Sequence, residues 1–342
     1  MKTYDVIIIG AGPAGLMCAQ TLSNSDLSVL VLEKNEVFGD KVCAGGITRK
    51  YLALLDVPDH IIEHKVKKTG VYSKHRKSTT DAPEAFVFTV NRIAFGTWQR
   101  EQIQNPKLKI QIKSKVTKIE TDRVILNDNE EFGYKYLVGA DGYFSIVRNH
   151  LGLPQEKRLI GLQYTVPEPD VDPRLEIFLD NNYFYSWYAW KFPHKNSFAV
   201  GCVCDPRKVS SHELKTNFHK WLKEMGIDIS NAKYESYPIS YDYRGYKFNN
   251  IFLAGEAAGM ASGLTGEGIY QCLVSGKTVA ETILNKNHTS EEFEAVLKYN
   301  RIQEKIMKFL IFAGPFRKLI HELIVLLLNN KRIKKKINNS FS

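Results

Sequence analysis

Residues Tyr4 to Glu33, YDVIIIGAGPAGLMCAQTLSNSDLSVLVLE, constrain the fold of this chain more than any other stretch. A short buried strand is expected over Asp5–Ile9, running into Gly10-Ala11-Gly12-Pro13-Ala14-Gly15 and an apolar helix. A second strand, Ser28–Leu32, ends in Glu33, eighteen residues after the last glycine. Strand, glycine loop, helix, strand and acid come in the order of a dinucleotide-binding unit. Gly10 permits the tight turn. Gly12 lets backbone N–H groups reach a pyrophosphate at the positive end of the helix, and Gly15 lets the helix pack on the strand. Glu33 is placed to accept hydrogen bonds from an adenosine ribose. The pattern specifies an ADP cradle and leaves the rest of the dinucleotide open.

A chain of 342 residues is long enough for a sizeable core and usually forms two domains. Its formal net charge is +10, and residues 323–342 carry Lys331, Arg332, Lys334, Lys335 and Lys336 with no acid, half of that excess. Such an end can meet anionic lipid, nucleic acid or water. The basic run has no interleaved aromatics, so nucleic acid is not an expected partner. Five cysteines without framework spacing point to a reducing compartment. With a strand expected from residue 5 there is no room for a signal peptide. No run reaches the ~18 apolar residues that span a bilayer. The expectation is a cytoplasmic protein, with contact to the inner face of the membrane open.

After Glu33 comes a loop of small residues, Phe38–Ile47, leading to a helix near Arg49–Leu55. There Cys43 reads either as a partly exposed thiol or as a small buried hydrophobe. Residues 66–90 read as strands, with Phe86, Phe88 and Val90 alternating. A helix is predicted over Arg92–Gln104 with Ile93, Trp98 and Ile103 on its buried face. Strands come next at Lys109–Ile112, Val116–Glu120, Val124–Leu126 and Tyr136–Gly139, then a helix from Tyr143 to Leu151. Between 160 and 250 the aromatic content rises, with strands expected at Leu175–Leu179, Tyr183–Trp190 and Ser197–Val203 and a helix at Ser211–Met225. An aromatic, mostly antiparallel sheet suits the wall of an apolar site. Cys202 and Cys204 share a strand face and read as core; no metal site is expected. A strand at Ile251–Ala254 leads to a long helix ending near Leu284, and helices are expected at 291–312 and 315–328, parted at Gly314-Pro315.

Three strand-end elements stand out: GxGxxG with Glu33, Gly139-Ala140-Asp141-Gly142, and Gly255-Glu256-Ala257-Ala258-Gly259. Together they suit one long ligand. Its adenosine lies at the first strand, a carboxylate after a later strand binds a hydroxyl, and a helix start offers N–H groups to a phosphate or ring oxygen. FAD has both a ribitol and a ring that far from the adenine. NAD needs neither the second nor the third element.

The set GAGPAG, GADGYFSIVR (139–148) and FLAGEAAG (252–259) resembles the FAD-dependent hydroxylase fold of the para-hydroxybenzoate hydroxylase type. Within that superfamily, Lys41-Val42-Cys43-Ala44-Gly45-Gly46, Tyr188-Ala189-Trp190-Lys191-Phe192-Pro193 and Gly266-Glu267-Gly268-Ile269 resemble the geranylgeranyl reductases. The short length and Glu256, where most of the superfamily has Asp, are similar to a small bacterial subgroup, the CbrA-type proteins. Gly263, where proline is common, and Gly96, where Asp often follows the Phe of Asn91-Arg92-x-x-Phe95, also depart from the pattern. The resemblance implies an α/β fold: a Rossmann-type FAD-binding domain (1–65, 91–160 and 250–288), an inserted, mostly antiparallel substrate domain (66–90 and 161–249), and C-terminal helices with a basic tail (289–342).

It further implies cofactor contacts at Gly10, Gly12, Pro13, Ala14, Gly15, Glu33, Lys34 and Val116 toward the adenosine end. Arg92, Asp141, Gly142, Gly255, Glu256, Gly266, Gly268 and Ile269 continue along the chain, with Lys41, Cys43, Ala44 and Gly45 near the ring. Tyr188 and Trp190 would line an apolar site for an isoprenoid or lipid-like substrate, and Cys43 is a candidate to tune the flavin or donate a proton. The reaction implied is hydride transfer from reduced flavin to a carbon–carbon double bond in lipid or pigment biosynthesis. Because an isolated alkene accepts hydride poorly, protonation must assist. No second GxGxxG is present, so electrons would come from an external donor, ferredoxin or NAD(P)H. A flavin monooxygenase (hydroxylase or epoxidase), a halogenase suggested by Trp187 and Trp190, and a non-catalytic membrane-associated flavoprotein are the alternatives. Phe316, Leu319, Ile320, Leu323, Ile324, Leu327 and Leu328 form an i, i+3, i+4 stripe. That helix, about 21 Å long, either lies on a membrane surface or packs on the protein itself.

Overall fold

The computed structural model describes residues 1–330. The described residues divide into two units, one made of Met1–Lys41, Arg92–Arg158 and Ile239–Gln303, the other of Val42–Asn91, Leu159–Pro238 and 304–330.

The first unit is built on a sheet whose central strand, Lys2–Ile9, is apolar on both faces, as a strand covered on both sides must be. It pairs in parallel with Val29–Leu32 on one side and Glu131–Gly139 on the other. Leu108–Gln111 extends the parallel array beyond Val29–Leu32, and Ile251–Leu253 extends it beyond Glu131–Gly139. The register aligns the strand ends. Ile9 lies level with Leu32 and with Gly139, and Gly139 lies level with Leu253. Gly10, Glu33, Ala140 and Ala254 therefore all leave the sheet along one carboxyl edge, where open α/β sheets take their ligands.

Helix Pro13–Leu22 covers the sheet with Leu16, Cys18, Ala19 and Leu22, each buried leucine contributing ~1.5–3 kcal/mol. Helix Ile269–Leu284 packs on it so closely that a Cβ at Gly276 would stand 2.2 Å from the Ala14 carbonyl oxygen. Arg148 is fully buried. It donates from Nη1 to the Ala257 carbonyl (3.0 Å), from Nη2 to Asp242 O (2.8 Å) and to Pro154 O (2.6 Å), joining three separate segments.

In the second unit the main sheet runs Lys233–Ser240, Arg158–Pro167, Ser197–Cys204, Ala189–His194, Arg174–Leu179, Lys68–Ser73, Lys77–Asp81. From Arg158–Pro167 to Lys77–Asp81 its pairings are antiparallel except that of Arg174–Leu179 with Lys68–Ser73. Gly46–Thr48, Val87–Val90 and Ile62–Val66 form a small sheet, and Val87–Val90 is buried throughout, so Phe88 and Val90 do not belong to a half-exposed strand. Helix Ser211–Glu224, capped by Ser210, presents Phe218 and Trp221 to Phe178 and Phe184. Cys202 and Cys204 are buried.

Two expectations need correction. Tyr183–Trp190 is not one strand: Asp180 caps a helical turn, Asn181–Phe184, and the next strand begins at Ala189. Between them Tyr185 sits at φ 58° and ψ −111°, a conformation bulky residues rarely adopt. The Asn181 amide holds its carbonyl (2.6 Å), and the Arg317 guanidinium lies 3.7 Å from its ring centroid. Helix Arg92–Glu101 buries Phe95, Gly96, Trp98 and Gln99, leaving Ile93 exposed, because the backbone at Phe38–Gly39 lies against Gly96. A Cβ at Gly96 would come within 2.8 Å of Gly39 N, which excludes an Asp there.

Helix Glu291–Phe312 leads through a turn at Gly314–Phe316 to helix Arg317–Leu327. Glu322 accepts hydrogen bonds from the Ser73 hydroxyl and His75 N, fastening the last helix beside Lys68–Ser73 with His321 and Val325 inward. The predicted apolar stripe is split: Phe316 is 71% exposed, Leu319 67% and Leu323 50%, and Leu327 is exposed too, while Ile320, Ile324 and Leu328 are half-buried. Among the described residues no helix is long and apolar enough to cross a membrane. The basic cluster Lys331–Lys336 lies outside them.

Candidate functional site

The predicted site residues divide between the two units. In the first, Gly10 takes φ +99° and turns the chain away from Ile9. Gly15 is required by contact, since its Cβ would stand 1.9 Å from the Gly10 carbonyl oxygen. Gly12 differs: a Cβ there would meet no atom within 4 Å, so the loop leaves open space where its backbone is bare. Gly12 is also the N-cap of helix Pro13–Leu22 and supplies no side-chain cap. The first N–H groups of that helix are thus free for an anion. Gly268 stands in the same relation to helix Ile269–Leu284.

Glu33 is buried, and its carboxylate accepts from Ala11 N (2.7 Å) and Asn35 N (2.9 Å). It therefore braces the glycine loop directly, a role not apparent from its position in sequence, with lone pairs left for a ribose. Ser114 N donates to the Glu33 carbonyl (2.8 Å), bringing the strand that opens with buried Val116 to the same end of the sheet. Lys34 is exposed. The Gln99 amide donates to the Pro13 carbonyl (3.1 Å) and ties helix Arg92–Glu101 to the loop.

Along the carboxyl edge three polar groups are buried with an atom unsatisfied: Asp141 Oδ1, Glu256 Oε2 and Arg92 Nε. Unmatched buried polar atoms are uncommon, and two acceptors with one donor match ribitol hydroxyls and a pyrophosphate. Burial pushes the Asp141 carboxyl upward, although Oδ2 accepts from Ile146 N at 2.7 Å. The glutamate at 256 has a partner the sequence did not disclose: Lys41 Nζ donates to Oε1 at 2.6 Å. The longer side chain is thus tethered by one oxygen, with the other unsatisfied. Gly255 turns against Ala14 and Cys272, and burial first, then the Glu256 charge, pushes the Cys272 thiol up to about 12. Gly263 packs on the Tyr241 ring, which would meet a Cβ at 2.7 Å and takes the room a proline uses. Gly266 turns at φ +66° under a bond from its own N–H to the Ser262 carbonyl (2.9 Å). The uncapped helix starts, the open space over Gly12 and the three orphaned atoms fit an extended dinucleotide with a polyol, as FAD is.

In the second unit the structure brings together two segments far apart in sequence. Trp190, Phe192 and His194 alternate onto one face of their strand. The loop from Cys43 to Gly46 lies on that face: a Cβ at Gly46 would stand 2.3 Å from the Phe192 ring, and one at Gly45 would stand 2.8 Å from His194 Cε1. Cys43 is half-buried, and its Sγ accepts from Gly45 N at 3.4 Å. His194 contacts Glu63 through Nδ1 and the Ala44 carbonyl through Nε2 (3.1 Å). Tyr188 is half-buried, its ring centroid 5.9 Å from that of Trp190. Trp190 is buried over Gly201 with its indole N–H unpartnered. Neither His194 nor Glu63 is marked as a site residue by the sequence. The available signal for His194 is its place in the alternation begun by Trp190 and Phe192; for Glu63 there is none.

Comparison with known proteins agrees with this geometry. The family model described as FAD binding domain matches residues 3–272. A digeranylgeranylglycerophospholipid reductase of Methanosarcina acetivorans is 28% identical over 306 residues, covering 81% of this chain and 74% of the relative. A geranylgeranyl diphosphate reductase of Rhodobacter capsulatus is 25% identical over 299 residues, covering 82% and 75%. The crystal structure of a geranylgeranyl bacteriochlorophyll reductase-like protein from Thermoplasma acidophilum superposes with a TM-score of 0.79 at 21% identity, covering 97% of this chain and 92% of that one. The chain therefore belongs to the FAD binding domain family and is an FAD-dependent oxidoreductase of the para-hydroxybenzoate hydroxylase-type superfamily, with geranylgeranyl reductases among its relatives.

Proposed function

We propose that this oxidoreductase reduces carbon–carbon double bonds in the prenyl chain of a lipid or pigment precursor, the first unit holding FAD and the second the substrate. The observation that carries the reading is the apposition of the Cys43–Gly46 loop on the Trp190–Phe192–His194 face. Two of the three motifs that resemble prenyl reductases meet there. Relatives named for prenyl-lipid reduction, covering most of the chain, support it.

In this reading the Gly10–Gly15 loop and the start of helix Pro13–Leu22 hold the pyrophosphate, and Glu33 orients the loop and the ribose. Asp141 and Glu256 would accept from ribitol hydroxyls, Lys41 fixes the Glu256 carboxylate, Arg92 would donate to the cofactor, and Gly268 and Ile269 would offer their N–H groups to its ring. Bound and reduced, FAD supplies a hydride to one alkene carbon. Because an isolated alkene accepts hydride poorly, the chain must deliver a proton to the neighbouring carbon as the hydride arrives, for which Cys43 or a water beside it is the candidate. Tyr188 and Trp190 supply an apolar wall that excludes water and orients the chain. The electron donor is a separate molecule, ferredoxin or NAD(P)H.

A lipid substrate has to be reached, and the exposed stripe Phe316, Leu319, Leu323 and Leu327, with the basic cluster at 331–336 next in sequence, suits an anionic membrane surface. We assign the protein to that surface as a peripheral protein facing the cytoplasm. The test is to reduce the purified flavoprotein anaerobically and mix it with an isoprenoid diphosphate or prenyl phospholipid, with air admitted to a parallel sample. Flavin oxidation by the alkene, with product gaining two hydrogens per double bond, supports the reading. Fast oxidation by air with oxygen placed in the substrate would make the protein a monooxygenase, and no turnover of either kind would make it a non-catalytic flavoprotein.

A further inference from the structure

His194 stands between two groups that can only accept a hydrogen bond when Glu63 is ionised: the Glu63 carboxylate at Nδ1 and the Ala44 carbonyl at Nε2, 3.1 Å away. A neutral imidazole has one N–H and can satisfy only one of them. Facing a carboxylate, that proton belongs on Nδ1, because the charge-assisted bond is the stronger. Nε2 would then turn a lone pair toward the Ala44 oxygen. Both contacts are bonds only if the ring is an imidazolium.

What the ring holds is the loop that carries Cys43. Gly45, at φ +71°, brings its α-carbon against the ring edge, and its carbonyl accepts from Val90 N at 2.9 Å. Glu63 is the carboxylate that contacts the imidazole. His64 and Lys65 lie on the Glu63 strand, Lys65 paired with Asp59. On the ring's own strand Lys191 sits over the Phe198 ring, opposite Glu176 and 3.9 Å from Glu168, while Lys195 is exposed. The neighbouring strands Gly46–Thr48, Val87–Val90 and Ser197–Cys204 carry no charge.

We propose that His194, as an imidazolium bridging Glu63 and Ala44, is a positioning residue that holds the Cys43–Gly46 loop in place, and that the loop loosens when the ring loses its proton. The consequence for catalysis rests on the reading that Cys43 faces the reaction; the clamp itself does not.

The test is hydrogen exchange by mass spectrometry on the full-length protein at about pH 5.5 and about pH 8.5. Rates are corrected for the intrinsic effect of pH, and peptides containing Ala44–Gly46 and Val90 are monitored. In the wild type their protection should fall about tenfold or more at the higher pH, the worth of a hydrogen bond to a charged group. In Glu63→Gln the amide can donate to Nδ1 of a neutral ring, leaving Nε2–H for Ala44, so protection should persist at the higher pH. In His194→Phe it should be low at both, while peptides from the Lys2–Ile9 strand remain protected and report an intact fold. Equal protection in wild type and His194→Phe would overturn the proposal. So would a fall of the same size in wild type and Glu63→Gln. Since the readout is exchange rather than turnover, a failed clamp and a failed reductase reading are separable.

Discussion

Replacing Gly12 by alanine separates a ligand-facing glycine from a structural one. At φ −76° and ψ −177° the Gly12 backbone is open to any residue, and an added Cβ meets nothing within 4 Å. The folded chain should accept it, at a cost of about 1 kcal/mol or less for changing the N-cap and a shift of a few degrees in Tm. The methyl group projects into the space from which the loop amides would reach the pyrophosphate. Losing one charge-assisted hydrogen bond there costs ~1.5–3 kcal/mol, which weakens FAD binding about 10- to 150-fold. Gly15→Ala is the contrast. Its Cβ would stand 1.9 Å from the Gly10 carbonyl oxygen, so the apoprotein itself should lose ~1–3 kcal/mol or more. The assay is titration of apoprotein with FAD by calorimetry or flavin fluorescence, with melting of the ligand-free proteins beside it. If Gly12→Ala binds FAD as tightly as wild type, or unfolds as readily as Gly15→Ala, the two glycines do not have these separate roles.

Arg148→Met removes the buried cation that the Ala257, Asp242 and Pro154 carbonyls share, and leaves Asp242 without it; urea unfolding should show a loss of ~3–5 kcal/mol. Asp141→Asn should act in the other direction. Because burial raises the native carboxyl, its stabilising contribution is full below the unfolded value of ~3.9 and lost as pH rises through the native one. The asparagine apoprotein should thus be as stable as wild type or more so at pH ~7, the difference vanishing below pH ~4, while calorimetry shows FAD bound more weakly, about tenfold for one lost acceptor. Leu319→Ser with Leu323→Ser, at exposed positions, should leave Tm within a few degrees and cut the partition constant for anionic vesicles, read by sedimentation, about a hundredfold or more, since burying each leucine contributes ~1.5–3 kcal/mol. Unchanged vesicle binding would remove the membrane assignment.

The first unit is the legible part of this chain because its logic is local. A glycine that must turn, one that must touch and one that must stay bare lie within six residues, and the strands that end beside them are short and apolar. Hidden from the sequence is whatever depends on distant partners. Lys41 meets Glu256 across 215 positions and His194 meets Glu63 across 131, and no periodicity encodes such pairs. The misread elements have the same cause. Tyr183–Trp190 carries strand-forming aromatics, yet Asp180 and Asn181 prefer to cap and hold a turn, and Arg317 from the far end of the chain stacks on strained Tyr185. Ile93 is apolar, yet the Phe38–Gly39 backbone lies at Gly96 and draws the other side of the helix inward. The C-terminal stripe is visible as an amphipathic pattern, which cannot say whether protein or lipid covers it; the fold turns His321 and Val325 inward, half-buries Ile320, Ile324 and Leu328, and leaves Phe316, Leu319, Leu323 and Leu327 outward.

A single anaerobic turnover decides whether reduced FAD on this chain is spent on a prenyl alkene. Protein with FAD reduced by dithionite, freed of excess reductant, is mixed with a geranylgeranyl phospholipid. Flavin absorbance is recorded while the lipid is weighed by mass spectrometry. One flavin should be oxidised for each double bond lost, the lipid gaining two hydrogens and no oxygen. Flavin that stays reduced beside intact lipid, yet is oxidised at once by air with an oxygen atom appearing in the product, would rule out the reductase reading.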